Sequence, residues 1–233
     1  MKQIIALGGG GFLMEPENPL LDAYILEQAG KRVPKICFVP TASGDSEKMI
    51  AAFYDFFGGH SCEPSHLSLF KPPARDLEAF VLEKDIIYVG GGNTKNLLAL
   101  WRDWGLDAIL QKAWEQGIVL AGISAGSLCW FEDGVTDSYG DGLEPIQALG
   151  FLKGSNCPHY DGEADRRPVY RQLIERGAVQ SGIAADDGVA LHYIGTELSR
   201  IVSSRPQAMA YSVKLDGKIK ETELPTEFLG SYK

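Results

Sequence analysis

The chain has 233 residues, 45% hydrophobic and 23% charged, which is the composition of a folded globular protein rather than of a disordered one. Its 31 acidic and 22 basic side chains give a formal net charge of −9, which repels nucleic-acid phosphates and anionic membranes and argues against both as partners. The four cysteines form no CxxC pair and the first apolar run is too short for a signal peptide or a membrane span, so we expect a reduced, cytoplasmic protein.

In the first half of the chain, short apolar runs alternate with segments of helical spacing. This alternation is typical of βα units and predicts a mostly parallel sheet flanked by helices. The predicted strands are Gln3–Leu7, Lys35–Val39, Pro64–Ser68, Asp85–Val89 and Ile118–Ile123. The predicted helices are Pro19–Ala29, Ser46–Phe57, Asp76–Glu83 and Asn93–Gln116, the last with a break near Gly105.

In the second half of the chain the alternation of apolar runs and helical segments ends. Turn-rich sequence continues to Gly162, and a helix is predicted over Arg167–Arg176. Later apolar runs, two of them joined by a Gly-Thr turn, indicate a hairpin or meander that extends the sheet. These runs are Ile183–Asp186, Val189–Ile194, Leu198–Ser203 and Ala208–Lys214. With no repeat and no linker, the sequence predicts a single α/β domain over residues 1–233, with extra C-terminal strands.

The G-x-S-x-G sequence at Gly122–Gly126 directly follows the last apolar run of the first half. At a strand-to-helix elbow, flanking glycines let neighbouring backbone come close, and the central serine is pushed out at the carboxyl edge of the sheet. Ser124 is therefore the candidate nucleophile. The backbone N–H of Ala125 is placed to stabilise an oxyanion that forms beside it.

A serine at its ordinary pKa needs a base to take its proton, and the chain offers four histidines. His60 and His66 lie in an early loop-to-strand region, and His192 lies within an alternating strand, where a packing role is favoured. His159 lies in a turn-forming segment after the elbow and is the best candidate base. No histidine pair has metal-ligand spacing, so no metal is expected.

The acid that would orient the base is harder to choose, because many carboxylates follow the elbow. They include Glu132, Asp133, Asp137, Asp141, Glu144, Asp161, Glu163, Asp186 and Asp187. Asp137 is preferred because it lies in a turn-like segment between the serine and the histidine. Glu132, Asp133 and Glu144 remain alternatives.

Two further glycine clusters follow apolar runs. Gly90–Gly92 precedes a predicted helix with Asn93 or Thr94 as its N-cap. The cluster would offer a second N–H group to an oxyanion, although a plain tight turn explains it equally well. The cluster Gly8–Gly11 invites comparison with dinucleotide-binding loops. However, the third glycine of that motif would fall at Leu13, and no acidic residue ends the second strand, so no cofactor is expected.

The GGGNT turn at Gly90–Thr94, the GISAG elbow and the C-P-H-Y segment at Cys157–Tyr160 occur in this order in the peptidase E family. Over roughly residues 1 to 190 the chain resembles that family of serine peptidases, which includes aspartyl dipeptidases and, more distantly, cyanophycinases. The resemblance implies a fold like the class I glutamine amidotransferases, with serine in place of their elbow cysteine. It also implies a triad of Ser124, His159 and an intervening acid.

The same resemblance implies that the glycine turn contributes the oxyanion hole. Its donors would be Gly91 and Gly92 together with Ala125. Asn93 and Arg166 are the candidate substrate-binding residues, since an arginine fork downstream of the histidine suits a substrate carboxylate. The same stretch also contains the acidic residues Glu163 and Asp165.

The expected function is hydrolysis of short peptides, such as dipeptides with N-terminal Asp, by a cytoplasmic serine peptidase. One alternative is another serine-dependent amidase or esterase on the same scaffold, and a second is a non-catalytic binding module. A glutamine amidotransferase would need a cysteine at position 124. A homodimer is one of the assemblies left open.

Overall fold

The computed structural model describes residues 1–140 and 142–230. The helices are α1 (Gly11–Met14), α2 (Leu20–Gln28), α3 (Glu47–Phe57), α4 (Leu77–Leu82), α5 (Thr94–Trp104), α6 (Leu106–Glu115), α7 (Ala125–Leu128) and α8 (Arg166–Glu175). The strands of the first half are β1 (Gln3–Leu7), β2 (Lys35–Val39), β3 (Glu63–His66), β4 (Ile86–Val89) and β5 (Val119–Ile123). The later strands are β6 (Phe131–Thr136), β7 (Glu144–Gln147), β8 (Leu152–Cys157), β9 (Gly182–Ala185), β10 (Val189–Ile194), β11 (Glu197–Ser203), β12 (Ala210–Asp216), β13 (Lys218–Leu224) and β14 (Glu227–Phe228).

The larger sheet confirms the predicted α/β class. Within the described residues its strand order is β14-β11-β10-β1-β5-β4-β2-β3. The five strands of the first half pair in parallel, as βα units require, and β10 adds to β1 in the antiparallel direction. The extra C-terminal strands β10 and β11 extend this sheet, as the sequence predicts.

Apolar residues occupy both faces of the larger sheet because successive side chains of a strand point to opposite sides. Ile4 and Ala6 of β1 pack into the core that contains α5 and α6, whereas Ile5 and Leu7 pack into the core that contains α2 and α3. The second core is rich in aromatic rings, which cluster around Phe12. These two cores hold the carboxyl ends of β1, β4 and β5 in fixed positions.

A second sheet corrects the prediction for the middle of the chain. The region after Gly126, expected to be mainly turns, contains β6, β7 and β8. They join β9, β12 and β13 in the order β13-β12-β9-β8-β6-β7 within the described part of the chain. Two of the later apolar runs, expected to extend the first sheet, form β9 and β12. Both strands belong to this second sheet instead.

The helices of the first half begin and end close to the positions that the sequence predicts. The expected break near Gly105 is real, because Gly105 adopts a left-handed conformation with φ 66° and separates α5 from α6. The helix after the elbow is short and has only the four residues of α7. Across residues 1–140 and 142–230, none of the helices has both the length and the apolar content needed to cross a bilayer.

Candidate active site

Three turns meet at the carboxyl edge of the larger sheet. β1 and β4 both pair in parallel with β5, with Leu7 opposite Ile123 and Val89 opposite Gly122. The glycine clusters that follow β1, β4 and β5 consequently end at the same level. Ligands bind at this edge in open α/β sheets.

Ser124 sits at a strained elbow between β5 and α7. Its φ of 57° and ψ of −112° form a backbone conformation that non-glycine residues rarely adopt. A Cβ at Gly122 or Gly126 would overlap backbone carbonyls of Gly126 or Val89, respectively, so only glycine fits on either side of the serine. The strain and the close packing together hold the Ser124 hydroxyl at the sheet edge.

His159 is held in place by its backbone and by a carboxylate. Its φ is 55°, and its N–H donates to the carbonyl of Gly8 at 2.9 Å. The Nδ1 atom lies 2.6 Å from Oδ1 of Asp187, and both side chains are largely buried. Because an ionised carboxylate only accepts, the hydrogen-bond network assigns the proton to Nδ1 and leaves Nε2 free to act as a base.

The glycine cluster after β1 packs against this pair. A Cβ at Gly9 would overlap Oδ1 of Asp187, and a Cβ at Gly162 would overlap its Oδ2. The Asp187 carboxylate is therefore confined between two backbone segments. Its own N–H donates to Oδ1 of Asp161 at 2.7 Å, which fixes the turn that carries it.

The structure places a carboxylate other than that of Asp137 beside His159. Asp137 is exposed at the end of β6, and the carboxylate that bonds His159 is Asp187, which follows the histidine in the chain. This placement has a physical cause: β10 runs antiparallel to β1, so the turn before β10 arrives beside the glycines that follow β1.

The alternative acids are engaged elsewhere. Glu132 bonds Lys153 and the N–H of Gly154, and these bonds lower its pKa to about 2. Burial raises the pKa of Asp133, whose carboxylate accepts from the N–H of Gln180. Glu144 is exposed on β7, and Asp141 lies outside the described residues.

The carboxylate of the adjacent residue, Asp186, faces a different environment from that of Asp187. Its carboxylate is buried and accepts from the N–H of Met209 at 3.0 Å. Burial raises the pKa of Asp186 to about 6, and the Met209 N–H offsets only part of that effect. Asp186 thus faces the protein interior, while Asp187 faces His159.

The other three histidines have partners away from Ser124. His192 is buried between Tyr24 and Gln3, with Nδ1 2.6 Å from the Tyr24 hydroxyl, and burial lowers its pKa to about 4. His60 stacks on Phe56, and His66 bonds the Tyr54 hydroxyl.

Ser124 and His159 line one cavity of about 370 Å³. Gly91 and Ile123 complete its floor, and its walls come from α1 and from the start of α3. Among the described residues, Ser124 Oγ makes no hydrogen bond to His159. Such bonds are often long before substrate binds and shorten in the complex.

The expected oxyanion donors differ in how they are placed. A Cβ at Gly91 would lie 3.7 Å from Ser124 Oγ, so this backbone approaches the nucleophile closely. Ala125 is the first residue of α7, where an N–H has no acceptor within the helix. A Cβ at Gly92 would overlap the backbone carbonyl of Ala42, and Gly92 does not line the cavity.

The two expected substrate-binding residues lie outside the cavity. Asn93 caps α5 by accepting from the N–H of Asn96, and its amide donates to the carbonyl of Ser138. Arg166 is buried, and its guanidinium is engaged by Glu163 and by the carbonyl of Val135. Asn93 thus serves as a helix cap and Arg166 as a buried ion-pair partner, and neither of these expected residues lines the cavity of Ser124.

A strained serine and an imidazole–carboxylate pair at the edge of a parallel sheet are the elements of a serine-type hydrolase. Residues 4–201 match the model of peptidase family S51, and the chain belongs to this family. It is a serine-type peptidase, as its resemblance to the peptidase E family implied.

Known relatives agree with this classification. The chain is 61% identical over 231 residues to an uncharacterized peptidase, YgaJ, of Bacillus subtilis (strain 168), covering 99% of this chain and 100% of that protein. The crystal structure of a peptidase from an acI-B1 Actinobacterium aligns with a TM-score of 0.71 at 18% identity, covering 97% of this chain and 95% of that one. A putative peptidase E protein from Listeria monocytogenes EGD-e aligns with a TM-score of 0.63 at 16% identity, covering 97% and 100%. These two structures share the fold.

Proposed function

We propose that Ser124, His159 and Asp187 form a catalytic triad that cleaves short peptides through an acyl-enzyme. The observation that carries this proposal is the 2.6 Å contact between His159 Nδ1 and Asp187 Oδ1, because His159 lines the same cavity as Ser124. No group of three or more His, Cys, Asp or Glu side chains that could hold a metal ion is found among the described residues. The proposed steps use side chains and backbone N–H groups of this chain together with one water molecule.

The steps follow from the proton positions. Asp187 accepts the proton of Nδ1, so Nε2 of His159 takes the proton of Ser124 as Oγ attacks the peptide carbonyl. The tetrahedral intermediate collapses as His159 gives this proton to the leaving amine, and the acyl group stays on Oγ. A water molecule, deprotonated by the same Nε2, then hydrolyses the ester and restores the serine.

The oxyanion of the intermediate needs donors that are already in place. We assign this role to the N–H groups of Gly91 and Ala125, which lie on the two turns that flank the nucleophile. Fixed backbone donors need no reorganisation as charge develops, and each contributes about 10² to 10³ in rate in comparable sites.

The size of the cavity supports short substrates. About 370 Å³ is near the lower end of the range for small-molecule sites, roughly 300 to 1,000 Å³, and leaves room for only a few residues. The four cysteines are free thiols, which supports the cytoplasm as the proposed location.

Steady-state hydrolysis of a dipeptide and tripeptide panel tests the triad. Ser124→Ala is expected to lower kcat by at least 10³-fold, and Asp187→Asn by about 10⁴-fold because the wrong tautomer of the base is favoured. Asp137→Asn is the matched control and is expected to keep activity within twofold. A result in which Asp137→Asn is inactive and Asp187→Asn is active would refute the proposed acid. Cleavage of esters but of no peptide would favour an esterase.

A further inference from the structure

The cavity around Ser124 has an apolar wall. Leu13 and Met14 reach it from α1, and Met49 and Ala52 reach it from α3. An acidic substrate side chain placed against these four side chains would lose hydration without gaining a partner from them. An apolar side chain would instead gain from burial, so the wall favours substrates with apolar residues.

One cationic side chain lines the same cavity. Lys48 lies in the first turn of α3, on the wall that also carries Met49. Within residues 1–140 and 142–230 its ammonium group pairs with no carboxylate. Lysine offers three donors on a flexible stem and binds a carboxylate as a point charge.

The arginine expected to read a substrate carboxylate is not available for this task. Arg166 is buried, carries an ion pair with Glu163 and does not line the cavity. Lys48 is thus the remaining cationic group among the residues that line the cavity of the nucleophile.

We infer that Lys48 binds the C-terminal carboxylate of the substrate, and that the site selects short peptides with apolar side chains and a free C-terminus. This inference rests on the proposed function. The terminal carboxylate reaches a cation beside Ser124 only when the scissile bond lies one or two residues from the C-terminus, and a cavity of about 370 Å³ leaves little room for further residues on the N-terminal side.

A comparison of Leu-Leu with Leu-Leu-amide and Asp-Leu tests this assignment. The unmodified protein is expected to cleave Leu-Leu about tenfold more efficiently than the amide and more efficiently than Asp-Leu, in kcat/KM. Lys48→Met should lower kcat/KM for Leu-Leu about tenfold, mainly by raising KM, so that the preference over the amide disappears. Lys48→Arg should restore most of the preference. Lys71→Met, which lies in a neighbouring groove, is the matched control and should leave the ratio unchanged.

The outcomes separate this inference from the proposed function. If Lys48→Met lowers hydrolysis of Leu-Leu and its amide equally, or of neither, the inference fails while the triad stands. Faster hydrolysis of Asp-Leu than of Leu-Leu by the unmodified protein would overturn the apolar preference. If the unmodified protein cleaves no member of a broader peptide panel, the proposed function fails and this inference fails with it.

Discussion

The confinement of Asp187 leads to a prediction that uses no substitution of a triad residue. In Gly9→Ala, the new Cβ overlaps Oδ1 of Asp187, the oxygen that bonds His159 Nδ1 at 2.6 Å. The backbone φ of Gly9 is not in the left-handed region, so alanine fits the local conformation. The carboxylate must therefore move, and the imidazole loses its partner.

The size of the effect follows from the required movement. Real Cβ atoms keep at least 3.0 Å from their neighbours, so Oδ1 must shift by about 1 Å or more, and a displacement of this size costs about 10²-fold in rate. Complete loss of the orienting carboxylate costs about 10⁴-fold. The expected fall in kcat is thus between 10²- and 10⁴-fold, or about 3 to 5 kcal/mol of transition-state stabilisation.

The assay is peptide hydrolysis together with thermal and urea unfolding of the same samples. We expect the free energy of unfolding to fall by about 1 to 3 kcal/mol, because the confined carboxylate must move whereas the Asp187 Cα, at 3.1 Å from the new Cβ, must give only slightly. Gly59→Ala is the control, since its Cβ would meet only the Phe56 carbonyl at 3.6 Å. A folded Gly9→Ala variant with the activity of the parent would refute the assignment of Asp187 as the orienting acid.

Three further predictions concern stability. Burial raises the pKa of Asp22 to about 7, above its ordinary value of 3.8. The protonated Asp22 carboxyl therefore contributes fully to the free energy of unfolding below about pH 4, and this contribution is lost as the pH rises through 7. Relative to Asp22→Asn, the unfolding free energy of the parent should therefore fall by roughly 4 kcal/mol between pH 4 and pH 8 in urea titrations, and parallel pH profiles would contradict this. Asn156→Ala removes partners of the Ser127 hydroxyl and the Ile183 carbonyl, and we expect urea unfolding to show a loss of about 2 to 4 kcal/mol. Phe53→Ala should cost about 3 to 5 kcal/mol by the same measurement, and a loss below 1 kcal/mol would mean that the aromatic cluster repacks.

The parts of the fold that depend on local signals were predictable from the sequence. The strands β1, β2, β4 and β5 are continuous apolar runs, and Gly105 marks a helix break that its left-handed conformation requires. The elbow was predictable for the same reason, because a strand and a G-x-S-x-G sequence are both encoded within a few residues.

The second sheet was not predictable in this way. Strand β6 (Phe-Glu-Asp-Gly-Val-Thr) and strand β7 (Glu-Pro-Ile-Gln) contain few β-branched residues and include glycine, proline and charges, all typical of turns. These segments become strands because they pair with distant parts of the chain. For example, β8 pairs with β9, which lies beyond α8.

The carboxylate that lies beside His159 was missed for the same physical reason. Choosing Asp137 relied on chain order, but the position of Asp187 depends on the antiparallel pairing of β10 with β1. A clue was present in the sequence: Asp186 and Asp187 precede a strand, and the glycine cluster Gly8–Gly11 had no assigned purpose. Only the pairing of the two strands shows that Gly9 leaves room for the carboxylate of Asp187.

The most direct test of the central claim is labelling by a serine-directed phosphonate at pH 7, followed by mass spectrometry of the intact protein and of its peptides. We predict a single adduct on Ser124, formed at least 100-fold more slowly in His159→Gln and in Asp187→Asn, and at the parental rate in Asp137→Asn. An unlabelled Ser124, or labelling that is equally fast without the imidazole of His159, would contradict an activated serine at this elbow.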